Sequence, residues 1–245
     1  MFWNKKIKSP ITNTDEDWLN NDLTWLREAF NEEHFQSIKT VTPTKDCYNR
    51  DFDGTKKDAH YVFERTKELM GIENDSLKLG FYNDSPILSD DGILLSSPSE
   101  SVFGDWESSS GTYEQKTNDV TIISIEINQL KNPISLIATI SHELSHEVLL
   151  GEGWIKENDE FLTDLTALFY GFGIFLGNSQ FVFSNNESGW ESKSQGYLPK
   201  QIIAYATAWL SYERKEDMFF VKYFDKSLQK LFNQSLQYIK SKNSN

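Results

Sequence analysis

The chain has 245 residues, 38% hydrophobic, 25% charged and 14% aromatic, which is enough for one large domain or two small ones around a real core. The aromatic content argues against a disordered chain, and 13 glycines with only 6 prolines exclude collagen-like and proline-rich architectures. With 24 basic against 37 acidic residues the net charge is −13, which repels phosphate backbones and anionic lipid, so neither nucleic acid nor a membrane surface is an expected partner.

In chain order, Thr14 followed by Asp15, Glu16 and Asp17 reads as a helix N-cap with acids at the positive end of the dipole. Trp18, Leu19, Leu23, Leu26 and Phe30 recur at helical spacing and predict a helix over 15–33. The single cysteine, Cys47, can form neither an intramolecular disulfide nor a thiolate zinc site. The opening residues MFWNKKIKSP lack the apolar stretch of a secretory signal, so a soluble protein of a reducing, cytoplasmic compartment is expected. A second helix over 55–70 turns Ala59, Val62, Phe63, Thr66, Leu69 and Met70 inward and stops at Gly71.

The period then changes. Residues 76–82 and 93–95 read as short strands, while 112–114 and 120–127 flank a turn-prone Lys-Thr-Asn-Asp run and predict a hairpin. Between them, 96–111 is a serine-rich, acidic loop. Asn132 is an N-cap with Pro133 at the first helical position, and that helix runs to about 150 and stops at Gly151. A further helix spans 157–177. Its apolar run from Leu162 to Leu176 is shorter than the about 20 residues of a bilayer span, so it reads as buried core. A Gly/Ser/Asn-rich excursion over 177–198 follows, then helices over 198–212 and 219–238. No repeat or linker divides the chain. The expectation is one α+β domain over 1–245, with an α/β part over 1–130, a small, mostly antiparallel sheet, and a helical part over 131–245.

Two of the four histidines fall in His142-Glu143-Leu144-Ser145-His146, an H-E-x-x-H run on a segment already read as helical. Four residues along a helix turn about 400°, leaving both imidazoles on one face about 6 Å apart, so two ring nitrogens can bind one Zn2+. Glu143 projects beside that face, where a carboxylate can take a proton from an activated water. Chance placement yields about 0.005 such runs in a chain of this composition, so the pattern is informative.

Catalytic zinc takes a third protein ligand, and no histidine follows His146. The candidates are carboxylates. Glu160 and Asp164 share a face of the next predicted helix, so one could bind metal while the other hydrogen-bonds a ligating imidazole. Glu152, six residues after His146, is the rival. Glu160 is the preferred ligand, with Asp164 as supporting group or alternative.

These segments resemble the zincin superfamily, and within it the glutamate-ligand group, the gluzincins. The run LIATISHELSHEVLLGEG from Leu136, followed by DEFLTDLTALFYGFGIF from Asp159, is also similar to a set of uncharacterised bacterial proteins with HELxH, LLGEG and LTDL motifs. The resemblance covers about 110–178, and loosely Gly196-Tyr197-Leu198. It implies a zincin-like fold and a metallopeptidase, with His142, His146 and Glu160 on one Zn2+, Glu143 as general base, and a peptide or protein substrate. It also implies that the strand at 120–127 is a sheet edge able to pair with an extended substrate. The gap from His146 to Glu160 is shorter than gluzincins usually have.

Tyr113, Tyr170, Tyr197 and His60 are conceivable oxyanion stabilisers, but with 10 tyrosines in the chain each reads first as a packed aromatic, and none is assigned. Gly171, Gly173 and Gly177 read as points of close helix packing. The leading functional expectation is a zinc-dependent hydrolase. The alternative is a non-catalytic binding or regulatory module of the same fold, with zinc in a structural role.

Overall fold

The computed structural model describes residues 7–82, 87–88, 94–95, 111–116, 120–179 and 198–243. Most of the predicted loop at 96–111, the hairpin turn and the excursion over 180–197, with Tyr197, lie outside the described residues. Helices α1 (Asn13–Ala29), α2 (Glu32–Ser37) and α3 (Lys56–Met70) precede strands β1 (Leu77–Tyr82), β2 (Ile87–Leu88), β3 (Leu94–Leu95), β4 (Gly111–Lys116) and β5 (Val120–Glu126). Helices α4 (Pro133–His146), α5 (Glu160–Phe169), α6 (Gly173–Ser179), α7 (Lys200–Glu213) and α8 (Lys226–Asn243) follow. The mixed α+β class is as expected. No helix among the described residues is long and apolar enough to cross a membrane.

The chain forms two compact units, Asp51–Trp154 and Met1–Arg50 with Ile155–Asn245. That division differs from a boundary near 130, because α4 packs against α3, β4 and β5 and so belongs with the sheet.

In the Asp51–Trp154 unit, α3 starts with a capping box: Asp58 N–H donates to Thr55 Oγ1 at 3.2 Å, and Thr55 N–H returns to Asp58 Oδ2 at 3.0 Å. The helix ends at Gly71, where the sequence places its stop. The three-stranded sheet has the order β1-β5-β4. The predicted hairpin is present, with Gly111 opposite Ile125 and Lys116 opposite Val120 in an antiparallel ladder. On the other side β1 joins β5 in parallel, from Leu77 opposite Thr121 to Tyr82 opposite Glu126. This corrects the expectation of a mostly antiparallel sheet. A parallel pair needs a crossover of a dozen or more residues, and the long connection between β1 and β5 supplies it. It also corrects the reading of 120–127 as a sheet edge: β5 is the central strand, bonded on both sides, and offers no free edge to a substrate. β2 and β3 form a separate antiparallel pair, of which only the 93–95 strand is legible in the sequence. Thr121, Ile123 and Ile125 alternate inward along β5.

In the other unit, α1 begins two residues earlier than predicted. Thr12, not Thr14, is the N-cap, in a capping box with Asp15. Both threonines have an aspartate three residues on, so the local signal fits either. The helix predicted over 15–33 ends at Ala29, because Asn31 adopts φ +62° and caps α2, its side chain accepting the His34 N–H at 3.0 Å. The helix predicted over 157–177 is also broken. Gly171 sits at φ +94°, and a Cβ there would lie 2.4 Å from the Lys39 carbonyl oxygen, so only glycine allows the turn between α5 and α6. Gly173 lies against Thr207 of α7, as the close-packing reading requires.

Leu19, Leu23 and Leu26 of α1 and Leu228 and Phe232 of α8 are fully buried, and α7 is covered along most of its length. Arg214, just beyond α7, closes two helix ends: Nε donates to the Phe35 carbonyl at 2.9 Å and Nη2 to the Phe169 carbonyl at 2.6 Å. Its guanidinium lies over both phenylalanine rings. Burial pushes its pKa down to about 10, so it remains charged at neutral pH.

Candidate metal centre

α4 carries the two histidines, and its start is set by two local devices. Asn132 Oδ1 accepts the N–H groups of Ile134 and Ser135 at 3.0 and 3.2 Å, and Pro133 occupies the first turn, where no N–H is needed. From Ser135 to His146 nearly every residue is buried, so the helix is held on all sides. His142 and His146, one turn apart, bring their ring centroids to 4.9 Å at an interplanar angle of 88°. His146 is 6% exposed and His142 half-buried, while Glu143 between them is 5% exposed. The hydroxyls of Ser141 and Ser145 donate back to the carbonyls of Ala138 and Ser141, which absorbs their polarity within the helix.

After His146 the helix widens into a π-turn over Glu147–Gly151. Sequence reasoning read Gly151 only as a stop and did not single out Glu147. The Glu147 carboxylate, 5% exposed, accepts a hydrogen bond from Asn74 Nδ2 at 2.7 Å. A Cβ on Gly151 would come within 2.4 Å of that carboxylate, so the acid occupies space that only glycine leaves. An acid followed by glycine four residues on, directly after H-E-x-x-H, is the signal that could have found it.

Glu160, Asp164 and Glu152 differ in setting. Glu160 opens α5 behind the Asp159 N-cap, whose Oδ1 accepts the Leu162 N–H at 3.0 Å. Glu160 Oε1 accepts from Asn158 Nδ2 at 2.8 Å, and its Oε2 is shielded from solvent. Asp164, one turn on, is 1% exposed and accepts the Leu198 N–H at 3.0 Å, a bond that fixes the start of the segment leading into α7. Glu152 is exposed at the end of the π-turn, where its Oε2 accepts from Trp154 Nε1 at 3.2 Å.

Among the conceivable oxyanion groups, Tyr170 is 4% exposed and packed against the rings of Phe30, His34 and Phe169, and His60 packs on Phe81. The side chains of Tyr113 and Tyr197 lie outside the described residues. Comparison with protein-family profiles, with curated proteins and with solved structures finds no match.

Proposed function

We propose that this chain is a metal-dependent hydrolase of peptide or related amide bonds, of zincin-like fold and cytoplasmic location. One divalent cation, Zn2+ by preference, would be held by His142, His146 and Glu160. The observation that carries the reading is the histidine pair on α4, with rings 4.9 Å apart and the buried Glu143 between them in sequence.

The donor chemistry fits. His142 and His146 offer imidazole nitrogens and Glu160 a carboxylate oxygen. Two imidazoles and one carboxylate are the ligands of an open catalytic zinc site, although the same donors also accept other first-row cations. A structural zinc site is usually closed by four protein ligands, so a set of three favours an open position. When bound, the ion supplies Lewis-acid polarisation of the substrate carbonyl and makes water a better acid, lowering its pKa toward about 7.

Glu143 carries the proton. Its carboxylate accepts a proton as the water oxygen bonds to the carbonyl carbon, and then delivers that proton to the amine nitrogen as the C–N bond breaks. Burial suits this role, because a carboxylate screened from bulk water exchanges its proton with the substrate rather than the solvent.

The test separates base from ligand. Glu143→Gln should retain the metal of the wild-type protein while hydrolysis of any peptide that the wild type cleaves falls by at least about 100-fold. Loss of the metal in that variant would make Glu143 a ligand and end this mechanism.

A further inference from the structure

The unit formed by Met1–Arg50 and Ile155–Asn245 contains a cleft of about 730 Å3, bounded by the start of α1, the first turn of α5 and the approach to α7. Its walls are apolar: Ile11, Trp18, Phe161, Leu198 and Ile202. Phe161, the residue after Glu160, is 52% exposed, and its ring meets Trp18 edge-on at 6.3 Å and 77°. An exposed, mutually braced aromatic pair is a preorganised wall, with little side-chain entropy left to lose when something packs on it. Leu198 is fixed by the bond from its N–H to Asp164, one turn along α5 from Glu160. A cleft of this size accommodates one or a few side chains.

Among the described residues, the cleft wall carries one charged side chain, a carboxylate, while Lys200, between the wall residues Pro199 and Gln201, pairs with Asp225 at 3.9 Å. Asp15 lines the cleft, with Oδ2 accepting from the Thr12 hydroxyl at 2.7 Å, and no basic residue is among its described walls. With a net charge of −13 the chain also attracts cations at long range.

We infer that this cleft binds a peptide through a bulky apolar side chain seated between Trp18, Phe161 and Ile202, with an adjacent lysine or arginine facing Asp15. Its role as a substrate subsite, choosing where a peptide is cut, rests on the proposed hydrolase function; its binding does not. The apolar walls supply affinity, and the Asp15 carboxylate chooses among apolar peptides by their charged neighbour.

Calorimetric titration of the full chain with N-acetyl-Phe-Lys-amide, N-acetyl-Phe-Glu-amide and N-acetyl-Ala-Lys-amide tests it. The Phe-Lys probe should bind about 10-fold more tightly than either of the others, and Phe161→Ala should weaken it about 10-fold with metal content unchanged. If Phe161→Ala fails to fold, Gln201→Trp, at an exposed position on the cleft wall, should block the same probe by filling the space. No binding to the wild type, equal binding of the three probes, or no effect in a folded variant overturns the inference. Probe binding without cleavage of any peptide supports the cleft and sinks the hydrolase. Cleavage with no preference for an apolar–basic pair, together with absent probe binding, does the reverse.

Discussion

Glu16 and Glu143 are both almost wholly buried acids, 4% and 5% exposed, yet the helices around them treat them differently. Glu16 of α1 is met by α8, where Tyr238 donates its hydroxyl at 3.0 Å and Lys242 its ammonium at 2.6 Å. A cation and a phenol answer the charge directly, and the arrangement fastens the first helix to the last. Glu143 stands between His142 and His146 in sequence, on a helix whose other buried positions, His146 apart, are apolar or small. Those imidazoles are the only side chains of α4 with metal-binding chemistry besides Glu143 itself. Burial of a charge is costly in either place, so burial by itself marks no site. The identity of the neighbours decides whether the acid serves cohesion or chemistry.

If that contrast is right, changes at the proposed metal ligands move metal and activity, and changes near Glu16 move stability. The largest expected effect is on metal content after dialysis against a weak competing chelator. Glu160→Ala should empty the protein, Asp164→Ala should weaken affinity by about 10- to 100-fold, and the exposed Glu152→Ala should change little. A site emptied by Glu152→Ala alone would mean that the third ligand is misassigned. Next comes Glu16→Ala, which strips Tyr238 and Lys242 of their shared acceptor. A loss of about 1–3 kcal/mol in urea unfolding is expected, with metal content untouched; Lys242 is 57% exposed and its part of that loss is screened by solvent. A fall in metal content would break the contrast.

Asn132→Ala removes the cap that starts α4 and should cost about 1 kcal/mol, read as a lower melting temperature without loss of metal. The smallest effect is on pH dependence. Burial alone would raise the Glu16 carboxyl, but the bonds from Lys242 and Tyr238 and the Lys242 charge outweigh it and hold the pKa below 4.5. A carboxyl depressed in the folded state binds fewer protons than in the unfolded chain. Its stabilisation is therefore complete above the unfolded pKa and fades as pH falls below 4.5 through the folded value. Comparing acid unfolding of the wild type with Glu16→Gln should show a shallower pH dependence in the variant over that range; parallel curves would remove Glu16 from the account.

Much of α3, α4 and the β4–β5 hairpin is legible in the sequence because each is signalled within a few residues. Thr55 with Asp58, Asn132 with Pro133, and Gly71 act on backbone groups of their own turn. The histidine pair is legible for the same reason, since helical spacing alone puts residues 142 and 146 on one face. The ends of α1 and α5 are less so. Asn31 takes a positive φ that most residues avoid, and the break at Gly171 depends on the Lys39 carbonyl, far away in the chain.

By itself, then, the sequence determined the helix-rich α+β character, the H-E-x-x-H helix with its cap, the hairpin, and the three acids from which a third metal ligand could be drawn. Tertiary structure decided what depends on partners distant in sequence. It paired β1 with β5 in parallel and so made β5 a central strand. It gave Glu16 a tyrosine 222 residues away and a lysine 226 residues away, tied Asp164 to the Leu198 N–H, and assembled the cleft from α1, α5 and α7. The reason is physical. A cap or a helical face is specified by bonds and angles within one turn, whereas a distant contact forms only once the burial of a whole core offsets the entropy of closing the intervening chain.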